Sequence, residues 1–262
     1  MAKTRLDTLL VERGLFESRS RAAAAVIAGD VRLGDERRRA DKPGQMVGGD
    51  VPVEVIGGPP FVSRGGVKLA NALETLGIEP SGRRVLDVGA STGGFTDCLL
   101  QHGAASVIAL DVGYGELHWR LRNDPRVTTM ERTNARDLDC AALPYRPDLV
   151  VADVSFISLE KVLPAVLSCA EERFDCLALV KPQFEVGRER LGKGGVVRDA
   201  SDRRDALVSV GRFAVDQGWT LLGFASSGLP GPAGNRETFA WIVEGGRGGG
   251  VDPEAAALEV EP

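Results

Sequence analysis

The stretch Val85-Leu86-Asp87-Val88-Gly89-Ala90-Ser91-Thr92-Gly93-Gly94-Phe95 has the residue types and spacing of a ligand site. An apolar run ends in a turn of small residues, and an apolar helical pattern (Phe95, Cys98, Leu99, Leu100) follows. That order is strand, tight turn, helix. Glycines let the backbone approach a ligand, and a helix N-terminus offers it unpaired N–H groups. A second apolar run, Val107-Ile108-Ala109-Leu110, ends in Asp111. An acid at that strand end can accept both hydroxyls of a ribose. Gly89, Ala90, Ser91, Gly93, Gly94, Phe95, Asp111 and Val112 therefore read as a pocket for a nucleoside cofactor, with Asn134 added from the end of the third strand.

The turn admits two other readings. The dinucleotide fingerprint G-x-G-x-x-G needs a glycine where Ser91 stands. The hydrolase elbow G-x-S-x-G is matched by Gly89-Ala90-Ser91-Thr92-Gly93, in the expected strand–turn–helix setting. Its histidine is the difficulty. The chain has two, and His102 falls at the far end of the following helix, while His118 comes early for a triad whose histidine normally lies last. S-adenosylmethionine has no pyrophosphate, tolerates a looser glycine turn, and fits better.

The elements that would position these groups alternate from residue 84 onward. Strands are expected at 85–88, 107–111, 127–130, 149–153, 176–181, 220–225 and 239–243, and helices near 94–102, 115–122, 158–171 and 200–217. This is the pattern of a parallel doubly wound sheet. The last two strands lack an intervening helix and are expected to pair antiparallel. Ligands sit at the carboxyl ends of such strands. Asp153 and Lys181 are both placed there, followed by Val154-Ser155-Phe156 and Pro182. Charges at apolar strand ends are costly unless paired. The two either form a plain buried ion pair or hold each other at a reaction centre. A helix at 67–76 carries Lys68 at the edge of a stripe of Leu69, Ala72, Leu73 and Leu76, where a lysine usually reaches out to water.

If the cofactor delivers a methyl group, the end of strand four bears on the acceptor. Amine-methylating enzymes often carry Asn/Asp-Pro-Pro-Tyr/Phe there, unlike Asp153-Val154-Ser155-Phe156, and Cys169 and Cys176 fall at the wrong edge for carbon methylation. An oxygen acceptor is favoured. A ribose hydroxyl needs a base within hydrogen-bond reach. Lys181 suits that role, with Lys68 as a neighbouring cation, Asp153 orienting it, and Glu237 balancing the charge.

Residues 1–58 look like a separate module, followed by a linker at 59–64, a catalytic region at 65–244, and a Gly-rich, then acidic Ala-rich tail at 245–262 expected to be disordered. Ser18 can cap a helix over 19–28 that Gly29 stops. Net charge is −5 overall, but residues 1–68 carry 12 Lys/Arg against 9 Asp/Glu, and the remainder 20 against 28, so the N-terminal part is the better anion binder. The apolar content of 43% over 262 residues allows a sizeable core. The four cysteines lack metal or disulfide spacing, which reads as reduced thiols in the cytoplasm. No run approaches a membrane span, and no signal peptide precedes the first helix. Metal binding is not expected.

Two resemblances sharpen this reading. Arg5-Leu6-Asp7, Gly14, Ser18-Arg19-Ser20, Ala23, Ile27, Gly29-Asp30-Val31, Lys42-Pro43 and Gly49-Asp50 resemble the S4 RNA-binding domain, an α+β module. That resemblance implies RNA contacts by Arg5, Arg19, Arg21 and Arg32. Arg37-Arg38-Arg39 departs from the usual turn and is expected as a phosphate-touching or mobile loop. Ser63-Arg64-Gly65-Gly66-Val67-Lys68-Leu69, the turn at 89–95, Asp111-Val112-Gly113-Tyr114-Gly115, Glu131-Arg132-Thr133-Asn134, Asp153-Val154-Ser155-Phe156-Ile157-Ser158-Leu159 and Val180-Lys181-Pro182-Gln183-Phe184-Glu185-Val186-Gly187 resemble the TlyA family over nearly the whole chain. The resemblance implies a Rossmann-like α/β fold with a seven-stranded, mostly parallel sheet. It also implies S-adenosylmethionine as cofactor and an FtsJ-type Lys-Asp-Lys-Glu site at Lys68, Asp153, Lys181 and Glu237. The expected substrate is a cytidine 2′-hydroxyl in 23S and, with Arg5 and Asp7 in place, 16S ribosomal RNA. Arg64, Arg188 and Lys193 are further RNA candidates, the loop 187–199 is a candidate mobile clamp, and Phe156 or Phe184 either stacks on a target base or packs in the core. The competing classes are a non-catalytic RNA-binding protein and a membrane-active haemolysin, for which no amphipathic membrane element is present.

Overall fold

The computed structural model describes residues 3–16, 18–57 and 60–261. The chain divides into two compact units, Met1–Pro60 and Phe61–Pro262. In the first, β1 (Lys3–Arg5) leads into α1 (Leu6–Glu12), followed by α2 (Arg19–Ala28), β2 (Val31–Leu33), β3 (Arg38–Arg39), β4 (Met46–Gly48) and β5 (Val53–Val55). The Ser18 hydroxyl accepts the Arg21 N–H at 3.3 Å, and α2 stops at Gly29, whose φ of 89° suits glycine alone. Leu6, Leu10, Ala22, Val26, Val31 and Ala40 close a small core.

Two features of this unit differ from expectation. Arg38 and Arg39 are not a free loop but a strand paired antiparallel with β2, and Arg37 is bound to Glu54. β1 pairs antiparallel with β4, a contact too short in sequence pattern to be read beforehand. Asp7 is 4% exposed and lies 2.7 Å from Arg5 and 3.3 Å from Arg19.

The second unit contains a seven-stranded sheet in the order β11-β12-β10-β9-β6-β7-β8. Its core is β6 (Arg84–Val88), β7 (Ser106–Leu110), β8 (Val127–Met130), β9 (Leu149–Ala152) and β10 (Asp175–Val180), all parallel. β12 (Thr238–Val243) runs antiparallel between β10 and β11 (Thr220–Ser226), as the missing helix led us to expect. The chain builds outward from β6 to β8 and then returns to place β9 on the other side of β6. The helices that follow β6 and β9, Gly94–Gln101 and Leu163–Ser168, therefore pack in different apolar clusters, which places the switch point of the sheet, where ligands of this fold class bind, at the carboxyl ends of these two strands.

Helices cover both faces. α3 (Arg64–Leu76) and α4 (Gly94–Gln101) share one apolar cluster with Leu69, Leu73, Phe95 and Leu99, while α6 (Leu163–Ser168), α8 (Ala200–Asp216) and α9 (Pro253–Val260) share the other. Two short helices, α5 (Trp119–Arg122) and α7 (Pro182–Glu185), follow strand ends. The helix expected over 158–171 is broken into a 3₁₀ turn, Leu159–Lys161, and α6, because Pro164 has no N–H to continue the ladder. The helix expected from 115 starts only at Trp119, since Gly115 is left-handed (φ 76°).

Three further expectations are corrected. The tail at 245–262 is not disordered over its described residues. Asp252 caps α9 by accepting the Ala255 N–H at 2.9 Å, Ala257 is buried, and Glu261 pairs with Arg203. Asp252-Pro253 was a legible cap-and-first-turn signal, hidden by the low-complexity composition around it. The cysteines are not all thiols. Cys140 and Cys169 form a disulfide across 29 residues, a separation that only the fold closes, while Cys98 and Cys176 are free and buried. The expected linker is partly structure: Phe61 is buried, Ser63 stands at the N-cap position of α3 without a side-chain capping bond, and Gly58 and Pro59 lie outside the described residues. Among the described residues, no helix is long and apolar enough to cross a membrane.

The Arg5 guanidinium, aided by Arg19, holds the Asp7 carboxyl well below the usual carboxylate range. A depressed folded-state pKa stabilises above the unfolded value, about 4, and the gain is lost as pH falls through the folded value. Asp7→Asn should therefore lower amide-exchange protection of α1 and α2 at pH 7, and the difference from the parent should vanish in strong acid.

Candidate active site

β6 ends at Val88, and Gly89 turns the chain with a φ of 83°. A Cβ at Gly89 would overlap the Asp153 carbonyl oxygen, so the turn and the end of β9 touch through bare backbone. Ser91 takes a left-handed conformation (φ 47°), and its N–H donates to Asp111 Oδ2 at 2.7 Å. Gly93 (φ 94°) precedes the first residue of α4, and a Cβ at Gly94 would strike the Ser63 hydroxyl. The turn packs closely against Asp153 and α3, and its residues Gly89 to Thr92 and Gly94 line a cleft of about 460 Å³. Ser63, Arg64, Gly65 and Lys68 of the α3 region line one side, the turn lines the floor, and Asp153, Lys181, Pro232 and Glu237 line the other. The Ser91 hydroxyl donates to Glu116 at 3.2 Å, a carboxylate rather than the imidazole that a hydrolase elbow would use.

The cofactor candidates are only partly open. Asp111 stands beside the glycine turn, its two oxygens accepting the Ser91 and Gly113 N–H groups, both at 2.7 Å. Each oxygen keeps a second lone pair for a hydroxyl donor. Val112 is exposed next to it. Asn134 instead caps the 3₁₀ turn Ala135–Asp137: its Oδ1 accepts from Arg136 N at 3.1 Å and its Nδ2 donates to Asp137 at 3.0 Å.

Lys68, Asp153, Lys181 and Glu237 all line the cleft, joined as two ion pairs. Lys68 Nζ lies 2.5 Å from Glu237 Oε2, with Lys68 only 6% and Glu237 2% exposed. The expected reach of Lys68 to water is thereby overturned. Lys181, at the end of β10, lies 2.6 Å from Asp153 Oδ1 and donates to Ser155 Oγ at 2.8 Å. Ser155 was not singled out beforehand; its hydroxyl two residues past Asp153 was the available signal. The segment before β12 that delivers Glu237 is fastened at several points. Asn71 of α3 donates to Ser227 O at 3.0 Å, Arg64 to Pro230 O at 2.5 Å, and buried Asn235 binds Val197 N at 2.9 Å and Gly195 O at 3.0 Å.

The RNA candidates separate. Arg64 serves the protein backbone rather than pointing at a partner. Arg188 and Lys193 are exposed, but the loop they occupy is pinned, with Val197 buried and Arg190 2.5 Å from Asp205. Phe156 is left-handed (φ 65°), 92% exposed, and 5.2 Å ring to ring from Phe184, so its core-packing alternative is overturned. In the first unit, Arg5 and Arg19 share Asp7, Arg32 donates to Gly29 O at 2.6 Å, and Arg21 lies in the first turn of α2, its N–H bound by the Ser18 cap.

The family model described as FtsJ-like methyltransferase matches residues 61–243, the whole region that carries the cleft. This chain is an FtsJ-like methyltransferase of the TlyA family. A relative from Mycobacterium tuberculosis, named 16S/23S rRNA (cytidine-2′-O)-methyltransferase TlyA, is 51% identical over 92% of this chain and 90% of its own length. Hemolysin A of Brachyspira hyodysenteriae is 37% identical over 91% of this chain and 99% of its own. A solved structure from Streptococcus thermophilus, provisionally called a hemolysin, superposes with a TM-score of 0.72 at 38% identity, covering 99% of this chain and 96% of that one.

Asp87, directly below the turn, is fully buried and accepts the Thr96 hydroxyl at 2.6 Å. Burial, with Asp153 and Asp111 adding to it against the Thr96 hydrogen bond, pushes its carboxyl up to about 7. A raised folded-state value means that its contribution is fully present below about pH 4 and is lost as pH rises through about 7. Asp87→Asn, which cannot ionise, should flatten the decline in urea-unfolding stability between pH 5 and 8. An unchanged decline would show that Asp87 ionises freely in the fold.

Proposed function

We propose that this FtsJ-like methyltransferase transfers a methyl group from S-adenosylmethionine to the 2′-hydroxyl of a cytidine ribose in 23S and 16S ribosomal RNA. The observation that carries the reading is the placement of Lys181 Nζ between Asp153 and Ser155 at the open rim of the glycine-floored cleft. The activity named for the Mycobacterium tuberculosis relative supports both the acceptor and the RNA.

The residues present fit the cofactor. The turn residues Gly89, Ala90, Ser91, Thr92 and Gly94 line the cleft beside Asp111, whose two oxygens keep lone pairs for hydroxyl donors, and the cleft volume suits a small ligand. The turn from Gly89 to Phe95, with Ala90 and Ser91, would hold the amino-acid end. Asp111 would take the ribose hydroxyls, and Val112 and Asn134 would flank the base. When bound, S-adenosylmethionine supplies an electrophilic methyl group on its sulfonium. Lys181 would act in its neutral amine form, whose lone pair takes the proton from the ribose hydroxyl as that oxygen attacks, which is general-base work over hydrogen-bond distance. Asp153 and Ser155 hold Nζ in place. Lys68 sets a positive charge beside the reaction and Glu237 fixes Lys68.

RNA recognition would divide between the units. The first, read as an S4 module, would meet folded RNA through Arg5, Arg19, Arg21 and Arg32 by backbone and shape. Arg188 and Lys193 would add phosphate contacts. Exposed Phe156, backed by Phe184, would stack on a nucleotide drawn from its helix.

Purified chain should transfer tritium from labelled S-adenosylmethionine to undermethylated 30S and 50S subunits. Lys181→Ala should lower the rate by about 10²–10⁴ while leaving calorimetric cofactor binding intact. Gly89→Ala should abolish that binding by forcing its Cβ into Asp153. Label in neither subunit, with binding intact, would remove ribosomal RNA as the substrate.

A further inference from the structure

The sheet holds the chain up to the two catalytic candidates and no further: β10 pairs with β12 through Val180, and Asp153 N–H donates to Val88 O at 2.9 Å. Beyond the strands, each loop continues into an element too short to hold itself. α7 is one helical turn, Pro182–Glu185, and the segment after Asp153 reaches the 3₁₀ turn Leu159–Lys161. Single turns are unstable alone and depend on tertiary contacts. Glu185 supplies them from one side to the other. Its Oε2 accepts the Ser158 hydroxyl at 2.7 Å, and its Oε1 accepts the Leu159 N–H at 2.9 Å.

At the cleft end the same two segments are tied by Lys181 donating to Ser155 at 2.8 Å. Phe156 sits between the two ties with a φ of 65°, a conformation that a bulky residue keeps only where its surroundings impose it. Glu185 does not line the cleft, so the chemistry there gives no reason for a carboxylate at this place. Burial pushes the Glu185 carboxyl up and Glu160 adds to this, while the bonds from Ser158 and Leu159 oppose it.

We propose that Glu185 is a positioning residue, whose carboxylate braces the segment 153–159 against α7 and so holds Asp153, Ser155 and Phe156 in register with Lys181. This rests on reading Lys181 as the base. The brace works by accepting hydrogen bonds, not by charge. Glu185→Gln preserves it: Oε1 still accepts from Leu159, and the amide can donate to Ser158, whose hydroxyl reverses its role. Glu185→Ala removes both bonds.

The test uses the full chain, with methyl transfer to undermethylated subunits, calorimetric S-adenosylmethionine binding, and hydrogen exchange at the Leu159 amide. Glu185→Ala should lower kcat by about 10–100-fold, the scale of an ångström-sized misplacement, with cofactor affinity little changed and Leu159 protection lost. Glu185→Gln should keep both kcat and protection. Ser158→Ala deletes one of the bonds from the opposite partner, together with the 3.2 Å cap that the Ser158 hydroxyl gives Glu160 N–H, and keeps the Leu159 bond; it should fall between them and serves if Glu185→Ala does not fold. Unchanged kcat in Glu185→Ala would overturn the proposal. So would a Glu185→Gln variant as impaired as Glu185→Ala, which would give the carboxylate a charge or proton role instead. If the parent protein transfers no methyl group, Leu159 exchange separates the outcomes. Lost protection in Glu185→Ala upholds the brace and places the error in the proposed substrate, and unchanged protection removes the brace itself.

Discussion

A lysine and a glutamate buried against each other set the terms for the catalytic unit. An ammonium or a carboxylate withdrawn from water to the extent of Lys68 or Glu237 costs several kcal/mol unless it meets its opposite with good geometry. α3 must therefore dock where Glu237 enters β12. Its apolar stripe, Leu69, Ala72 and Leu73, drives that docking, and Lys68 rides at the stripe's edge. Once docked, Asn71 and Arg64 reach the backbone of the segment leading to Glu237. The other pair, Asp153 and Lys181, is more open, with side chains 24% and 12% exposed against 1% and 8% for Glu237 and Lys68. The closed pair ties α3 to the start of β12, while the other pair is the more open of the two to the cleft.

The second constraint is topological. β9 lies beside β6 because the chain reverses direction there, and the two strands stay paired to their ends while the helices that follow them, α4 and α6, pack in different apolar clusters. Gly89 closes against the Asp153 carbonyl at that point, so the glycine turn lining the cleft and the strand that leads to Asp153 share one backbone contact. A movement in either must be felt by the other. This is a mechanical reason for a glycine at 89, separate from any contact with a ligand.

What could be read from the sequence follows from how each part is held. The sheet was legible because strands buried on both faces are continuous apolar runs, as in Leu149-Val150-Val151-Ala152. The turn at 89–94 and the end-of-strand charges were legible because their chemistry is local. The exact course of the ends was less so: Pro164 and left-handed Gly115 cut short two helices whose apolar pattern ran on. Cys140 with Cys169, β1 with β4, and Glu185 with Ser158 are contacts between segments distant in sequence, and no local pattern records them. Lys68 and Glu237, 169 residues apart, were assigned to one site by the chemistry a lysine base needs, with resemblance as support, but their direct pairing was not legible.

The distribution of cost across the sheet makes a separate argument for where function lies. In the catalytic unit, the described non-glycine residues with positive φ are Ser91, Arg132 and Phe156, which follow β6, β8 and β9 at their carboxyl ends. The same end holds Asp87, a carboxyl that burial keeps from ionising easily, and both lysine pairs. The opposite end of the sheet is equally charged but relaxed. There Arg83 meets Asp148 at 2.9 Å, Arg247 meets Asp175 at 2.7 Å, and the Trp241 N–H donates to Asp175 at 3.0 Å. Both ends draw on the same strands and the same residue types, so neither fold nor composition explains the difference. Strain and awkward charge persist where the surrounding structure imposes them, and they concentrate where a site must be shaped before its ligand arrives. The asymmetry thus points to the carboxyl end from stability considerations alone, without reference to any relative.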